Sequence, residues 1–275
     1  MIRKAFTDIS PLTLLILTIV LAFIGLIIFA FIGVIITAIY TGSWDIMSFL
    51  TGNLFTYEGL MTMRIMQICQ TFGIFLFPAL LTALIVSKKP FNFLGFQKTP
   101  FRILILSIIL VIVALPSINL LASLNAKIPM AQWMIDMEMA AQNAVKALLS
   151  TENTNIMLLN FFMVAILPAV AEELLFRGII QKFLCNALKN TFWGVMLTAI
   201  TFSAIHMQFQ GFIPRLVLGL LFGYLYIWSK SIWVPIAVHF VNNGLAVIVF
   251  YLIDTGNVPT QTESFGEIGV YWQAG

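Results

Sequence analysis

Seven stretches of this chain are apolar for about the length needed to cross a bilayer: approximately 11–40, 65–87, 101–124, 156–180, 191–210, 212–229 and 232–253. In hydrocarbon every backbone polar group needs an internal partner, so such segments must be helices unless they close into a barrel. Runs of this length predict an all-α, polytopic transmembrane bundle of about seven spanning helices. Of the 275 residues, 61% are hydrophobic and only 9% charged, against about 25% charged in soluble domains. That balance excludes a soluble enzyme. The first run, from Pro11 to Tyr40, far exceeds the 7–15 residues of a signal-peptide core, so a long, tilted spanning helix is expected rather than a cleaved leader. The expected organisation is an N-terminal group of helices over 1–150, a core over 151–253 and a polar tail over 254–275.

Two intervening segments are too polar to span. Segment 41–64 reads as a loop. Within 125–155, Met134, Met137, Ala141, Val145 and Leu148 recur at helical spacing, with Gln132, Asp136, Asn143 and Lys146 mainly opposite. This pattern suits an amphipathic helix lying in the membrane interface or packed over the mouth of the bundle. Its methionines read as flexible packing rather than a cofactor box. Charge predicts the orientation. With the N-terminus inside, the inner loops hold Arg3, Lys4, Lys88, Lys89, Lys98, Arg102, Lys182, Lys189 and Lys230. The outer loops then hold only Arg64, Lys127, Lys146 and Arg215, and the C-terminus lies outside. The net charge of +3 is explained by this placement and implies no nucleic acid; membrane lipid is the expected surrounding. Cys69 and Cys185 are expected near opposite faces and unbridged, and no Cys/His cluster suggests structural zinc.

Against this background, Glu172 and Glu173 lie inside the run 156–176, with Arg177 one turn later. A charge at the bilayer centre costs roughly 2.5–3.5 kcal/mol or more, so intramembrane ionisable groups point to function. Glu173 and Arg177 are i and i+4 and can neutralise each other, while Glu172 is rotated about 100° away. The only two histidines, His206 and His239, both fall in apolar segments. Counted from a turn near Lys189, Glu172 and His206 lie at equal depth, roughly 25 Å in. Phe202 precedes His206 by four residues, and Asn243 follows His239 by four. Pro168 and Pro235 stand four residues before Glu172 and His239, where each could free a carbonyl and bend a helix. Carboxylate, imidazole and carboxamide together suit hydrolysis: a base for water, a partner to position it and donors for an oxyanion. No serine or cysteine nucleophile pattern, HExxH motif or glycine-rich phosphate loop accompanies them.

"EELLFR", "FSAIH" and "HFVNN" read as EExxxR, FxxxH and HxxxN on successive segments. In this order they resemble the CAAX-protease and bacteriocin-processing (Abi) family of intramembrane proteases, over about residues 156–250. The resemblance implies an endopeptidase acting on membrane-associated proteins or peptides. It makes Glu172 the water-activating base and His206 its partner. His239 and Asn243 would stabilise the oxyanion, with Glu173, Arg177 and Phe202 in support. The family has been described as metalloproteases and, alternatively, as using a glutamate-activated water without metal. If zinc is present, Glu173, His206 and His239 would be its ligands, but the pairing of Glu173 with Arg177 favours the metal-free route. The family fold has eight spanning helices, one more than counted here. Substrates in the family range from prenylated CAAX tails to bacteriocin systems. A non-catalytic immunity or binding scaffold and a proton-coupled transporter are the competing readings.

Overall fold

The computed structural model describes residues 9–45 and 56–259. Every regular element among them is helical. The chain forms α1 (Pro11–Thr41) and α2 (Tyr57–Val86), then the short α3 (Pro90–Leu94). These are followed by α4 (Phe101–Asn125), α5 (Gln132–Leu149), α6 (Thr154–Leu188) and α7 (Thr191–Ala204). The last two are α8 (Phe212–Ser229) and α9 (Trp233–Asp254). Six of these, α1, α2, α4, α6, α8 and α9, are long and apolar enough to cross a membrane, which makes this a multi-pass membrane protein. The seventh expected span is shorter than hydropathy suggested. Helix α7 has 14 residues and ends at Ala204 instead of 210, and the chain turns through 205–211 before α8. The polar tail from 260 onward lies outside the described residues.

Helix α2 also starts earlier than expected. The hydroxyl of Thr56 accepts from the Gly59 amide, and Glu58 occupies the first turn, so Tyr57 rather than residue 65 begins the helix. Arg64 therefore is not a loop charge. It is 3% exposed, donating from Nε to Asn160 Oδ1 at 2.9 Å and from Nη2 to the Leu148 carbonyl at 2.6 Å. Asn160 Nδ2 reaches the same carbonyl at 2.8 Å. This node ties α2, the end of α5 and α6 together.

Helices α1 and α2 cross where Gly25 meets Gly73. A Cβ on either would run into the other's carbonyl oxygen, so only glycine permits this approach. A Thr18–Thr82 hydroxyl contact of 3.2 Å adds polar glue to the same pair. On α8, Gly219 and Gly223 lie against Ala199 and Val195 of α7, the small-residue spacing that lets membrane helices close up. The largest apolar cluster joins Leu14, Ala83, Leu94, Ile179 and Ile236, and so draws on both halves of the chain. A second, of Val111, Phe222, Leu225 and Val238, holds α4, α8 and α9.

Both α2 and α6 contain π-helical turns: Phe72–Leu76, Phe162–Ile166 and Phe176–Ile180. The first two lie directly before Pro78 and Pro168, whose rings remove the amide of the normal turn. The expectation for Pro235 is not met in the same way. It falls in the first turn of α9, where its amide would have had no helical partner, so it opens that helix and does not interrupt it.

The amphipathic helix exists as α5, packed over one end of the bundle against α2, α6 and α9. Its buried face differs from the expected methionine stripe. Glu138, Gln142, Leu148 and Leu149 are buried, whereas Met137 and Met139 are exposed. The polar loop at 205–211 is the reason, because it offers this helix hydrogen-bond partners that an apolar face could not use.

Candidate active site

The segment Leu167–Leu175 of α6 is buried almost throughout and carries both glutamates. The two adjacent carboxylates have opposite environments. Glu173 is fully buried, and its Oε1 accepts from Arg177 Nη1 at 2.7 Å and from His239 Nδ1 at 2.8 Å. Arg177 is also fully buried and donates from Nη2 to the Gly219 carbonyl at 3.0 Å. Its guanidinium lies 4.9 Å from the Phe202 ring centre and 5.4 Å from that of Phe222. Glu172 makes no hydrogen bond or ion pair among the described residues and faces a cavity. Adjacent positions on a helix diverge by about 100°, which lets one carboxylate lock the scaffold while its neighbour stays available.

His239 is fixed by this arrangement. Its Nδ1–H donates to Glu173, and its ring stacks on Phe222 at 5.3 Å. The other nitrogen, Nε2, has no protein partner among the described residues. His206 is not within a helix, as hydropathy suggested, but in the turn just after α7. Its Nδ1–H donates to the Phe202 carbonyl at 2.8 Å, and its ring packs edge-on against Phe202 at 5.3 Å. Again Nε2 remains for the cavity. Each imidazole is thereby held in one tautomer, with Nε2 accepting when the ring is neutral and donating when it is protonated.

Asn243 is held by the proline of α6. Because Pro168 has no amide, the Val164 carbonyl one turn earlier loses its helical partner, and Asn243 Nδ2 donates to it at 3.0 Å. Asn243 Oδ1 accepts from Asn242 Nδ2 at 3.1 Å. One amide hydrogen of Asn243 has no partner among the described residues.

Glu172, Phe202, His206, His239 and Asn243 line one cavity of about 770 Å³. Glu173 and Arg177 lie behind that lining. Residues that motif reading did not find complete the wall: Gln67 and Gln70 from α2, Asn119 from α4, and Gln208 and Arg215 beyond α7. Arg215 Nη2 donates to Gln208 Oε1 at 2.6 Å. A polar residue inside an otherwise apolar run was the available signal for Gln67, Gln70 and Asn119. The zinc set considered above, Glu173, His206 and His239, is not assembled. Glu173 is enclosed by Arg177 and His239, and among the described residues no three His, Cys, Asp or Glu side chains form a group that could hold a metal ion.

The part of the chain that supplies these motifs also carries its likeness to known proteins. Residues 154–245 match the family model of the type II CAAX prenyl endopeptidase Rce1-like proteins. Over this segment the chain is similar to CAAX proteases of the membrane. It is 33% identical over 108 residues to the membrane-embedded CAAX protease MroQ of Staphylococcus aureus (strain USA300), covering 37% of this chain and 43% of that protein. It is 31% identical over 85 residues to the putative membrane peptidase YdiL of Bacillus subtilis (strain 168), covering 31% and 34%. The chain thus spans less than half the length of these curated relatives, and no solved structure matches it. Gln67, Gln70, Asn119 and the whole of α5 lie outside residues 154–245, so part of the cavity wall is built by chain beyond the segment that matches the CAAX family model.

Proposed function

We propose that this protein is an intramembrane endopeptidase that hydrolyses peptide bonds of membrane-associated proteins or peptides. The observation that carries this reading is the contrast between the two glutamates: Glu173 is engaged by Arg177 and His239, while Glu172 faces the cavity unpaired beside two oriented imidazoles. Glu172 takes a proton from a water held with His206 Nε2 as the water oxygen bonds to the scissile carbonyl carbon. The carbonyl electron pair moves onto its oxygen, which receives hydrogen bonds from protonated His239 Nε2 and the remaining Asn243 amide hydrogen. The carbon–nitrogen bond then breaks, and the proton on Glu172 passes to the leaving nitrogen. The carboxamides of Gln67, Gln70 and Asn119 can pair with peptide N–H and C=O groups alike, which suits an extended, uncharged segment. Comparing membrane peptides from cells with and without the active protein tests the reading and identifies the substrate. Identical peptide profiles, together with no cleavage by purified protein, would sink it.

The proposed chemistry runs without metal. Purified protein is expected to contain far less than one zinc per chain and to keep its activity through chelation. Stoichiometric zinc, with activity lost on removal and regained on add-back, would overturn this route.

The orientation proposed is N-terminus inside and C-terminus outside. Two of the four basic residues assigned to outer loops, Arg64 and Arg215, are held by partners inside the bundle, leaving only Lys127 and Lys146. A reporter active only in the cytoplasm, fused after residue 275, should be silent; an active fusion refutes this topology.

A further inference from the structure

The loop that carries His206 is held by partners far away in sequence. It joins α7, which with 14 residues is shorter than the six candidate spans, to α8. Residues 205–211 are irregular backbone between two apolar helices, so their polar groups need partners from the protein or from cavity water. Met207, directly after His206, has a φ of +52°, a left-handed conformation that persists only when its surroundings impose it.

Those surroundings come from chain outside the segment 154–245 that matches the family model. Asn125, the last residue of α4, donates from Nδ2 to the carbonyls of Phe209 at 2.8 Å and Gln210 at 2.7 Å. Its Oδ1 accepts from the Ile213 amide at 3.2 Å. Glu138 of α5 accepts the Gln210 amide on Oε2 at 3.3 Å. Gln142 Nε2 lies 3.3 Å from both Glu138 Oε1 and Gln210 Oε1. Asn125, Glu138 and Gln142 are 4%, 1% and 4% exposed, so these bonds are shielded from competing water.

We propose that Asn125, Glu138 and Gln142 are positioning residues for His206: the cover helix α5 and the end of α4 clamp the 205–211 loop so that the imidazole keeps its place and tautomer in the cavity. The carboxylate of Glu138 serves the loop backbone and not the reaction. This rests on the proposed role of His206, but the clamp itself is readable without any substrate.

The chain has only two histidines, so ring-¹⁵N-histidine labelling of the full-length protein in nanodiscs reports on just two imidazoles. His206→Gln assigns them. Glu138→Ala and Asn125→Leu should shift the His206 signals toward a mixture of tautomers and broaden them. The His239 signals, anchored by Glu173 and Phe222, should stay in place. Glu138→Gln keeps an oxygen for the Gln210 amide and should restore the wild-type His206 signals. With a cleavable substrate in hand, Asn125→Leu should lower kcat about 100-fold, the scale of a 1 Å misplacement. Where Asn125→Leu disturbs His239 as well, Gln142→Leu, which removes only the bridge, supplies the readout. Unchanged His206 signals in Glu138→Ala and Gln142→Leu overturn the clamp, whatever cleavage does. Shifted His206 signals with undiminished cleavage uphold the clamp and count against the catalytic role of His206.

Discussion

Glu172→Gln is expected to lower cleavage by about 10²–10⁴-fold, the contribution of a positioned general base, while leaving the protein as abundant and as heat-resistant as the wild type. The two halves of that result have separate causes. Glutamine keeps the size and hydrogen-bonding reach of the side chain but cannot accept the proton of an attacking water. Stability is spared because Glu172 has no hydrogen-bond or ion-pair partner among the described residues, so removing its charge strands nothing. Relieving a buried, unpaired carboxylate can even raise the melting temperature. Cleavage rates measured beside thermal unfolding in the same detergent check both halves. Wild-type turnover in Glu172→Gln would remove the base from the proposed mechanism.

Changing the neighbouring carboxylate should have a different effect. Glu173→Gln leaves Arg177 charged in a fully buried site, and Arg177→Ala leaves Glu173 in the same condition. Breaking a buried pair from one side costs about 3–5 kcal/mol, so each single variant should lose abundance and melt early as well as lose cleavage. The double variant Glu173→Gln with Arg177→Met removes both charges together. It should recover much of the lost stability and none of the activity, because His239 Nδ1 no longer has its carboxylate. If Glu173→Gln is instead stable but inactive while Glu172→Gln cleaves normally, the two carboxylates have been assigned the wrong way round.

The family resemblance and the all-helical membrane architecture were legible in the sequence, because EExxxR, FxxxH and HxxxN are local patterns and hydropathy reports membrane burial directly. What was misread depended on partners far away in sequence. Hydropathy carried α7 on to residue 210, though Gln208, Gln210 and Gly211 mark a segment that cannot continue as an apolar helix. The early start of α2 was written in Thr56 and Glu58, a capping signal that a hydropathy window does not weigh. The buried face of α5 could not be inferred from its own periodicity. The choice between a methionine stripe and Glu138 with Gln142 is made by the loop it covers, about 70 residues downstream. Arg64 and Arg215 likewise looked like loop charges, because their partners Asn160, Leu148 and Gln208 are recognisable only in three dimensions.

The charged groups in and directly behind the cavity lining have a further consequence. Glu172 and Glu173 are matched by Arg177 and Arg215, so with the protonated His239 of the proposed mechanism the formal charges in this region sum to +1. When a water proton moves to Glu172, the negative charge moves to the oxygen of the substrate, and the sum is unchanged. Hydrolysis of this kind relocates charge over a few ångströms without creating any. The site can therefore keep one net charge from bound substrate to tetrahedral intermediate, with no counter-ion drawn through a medium that excludes ions.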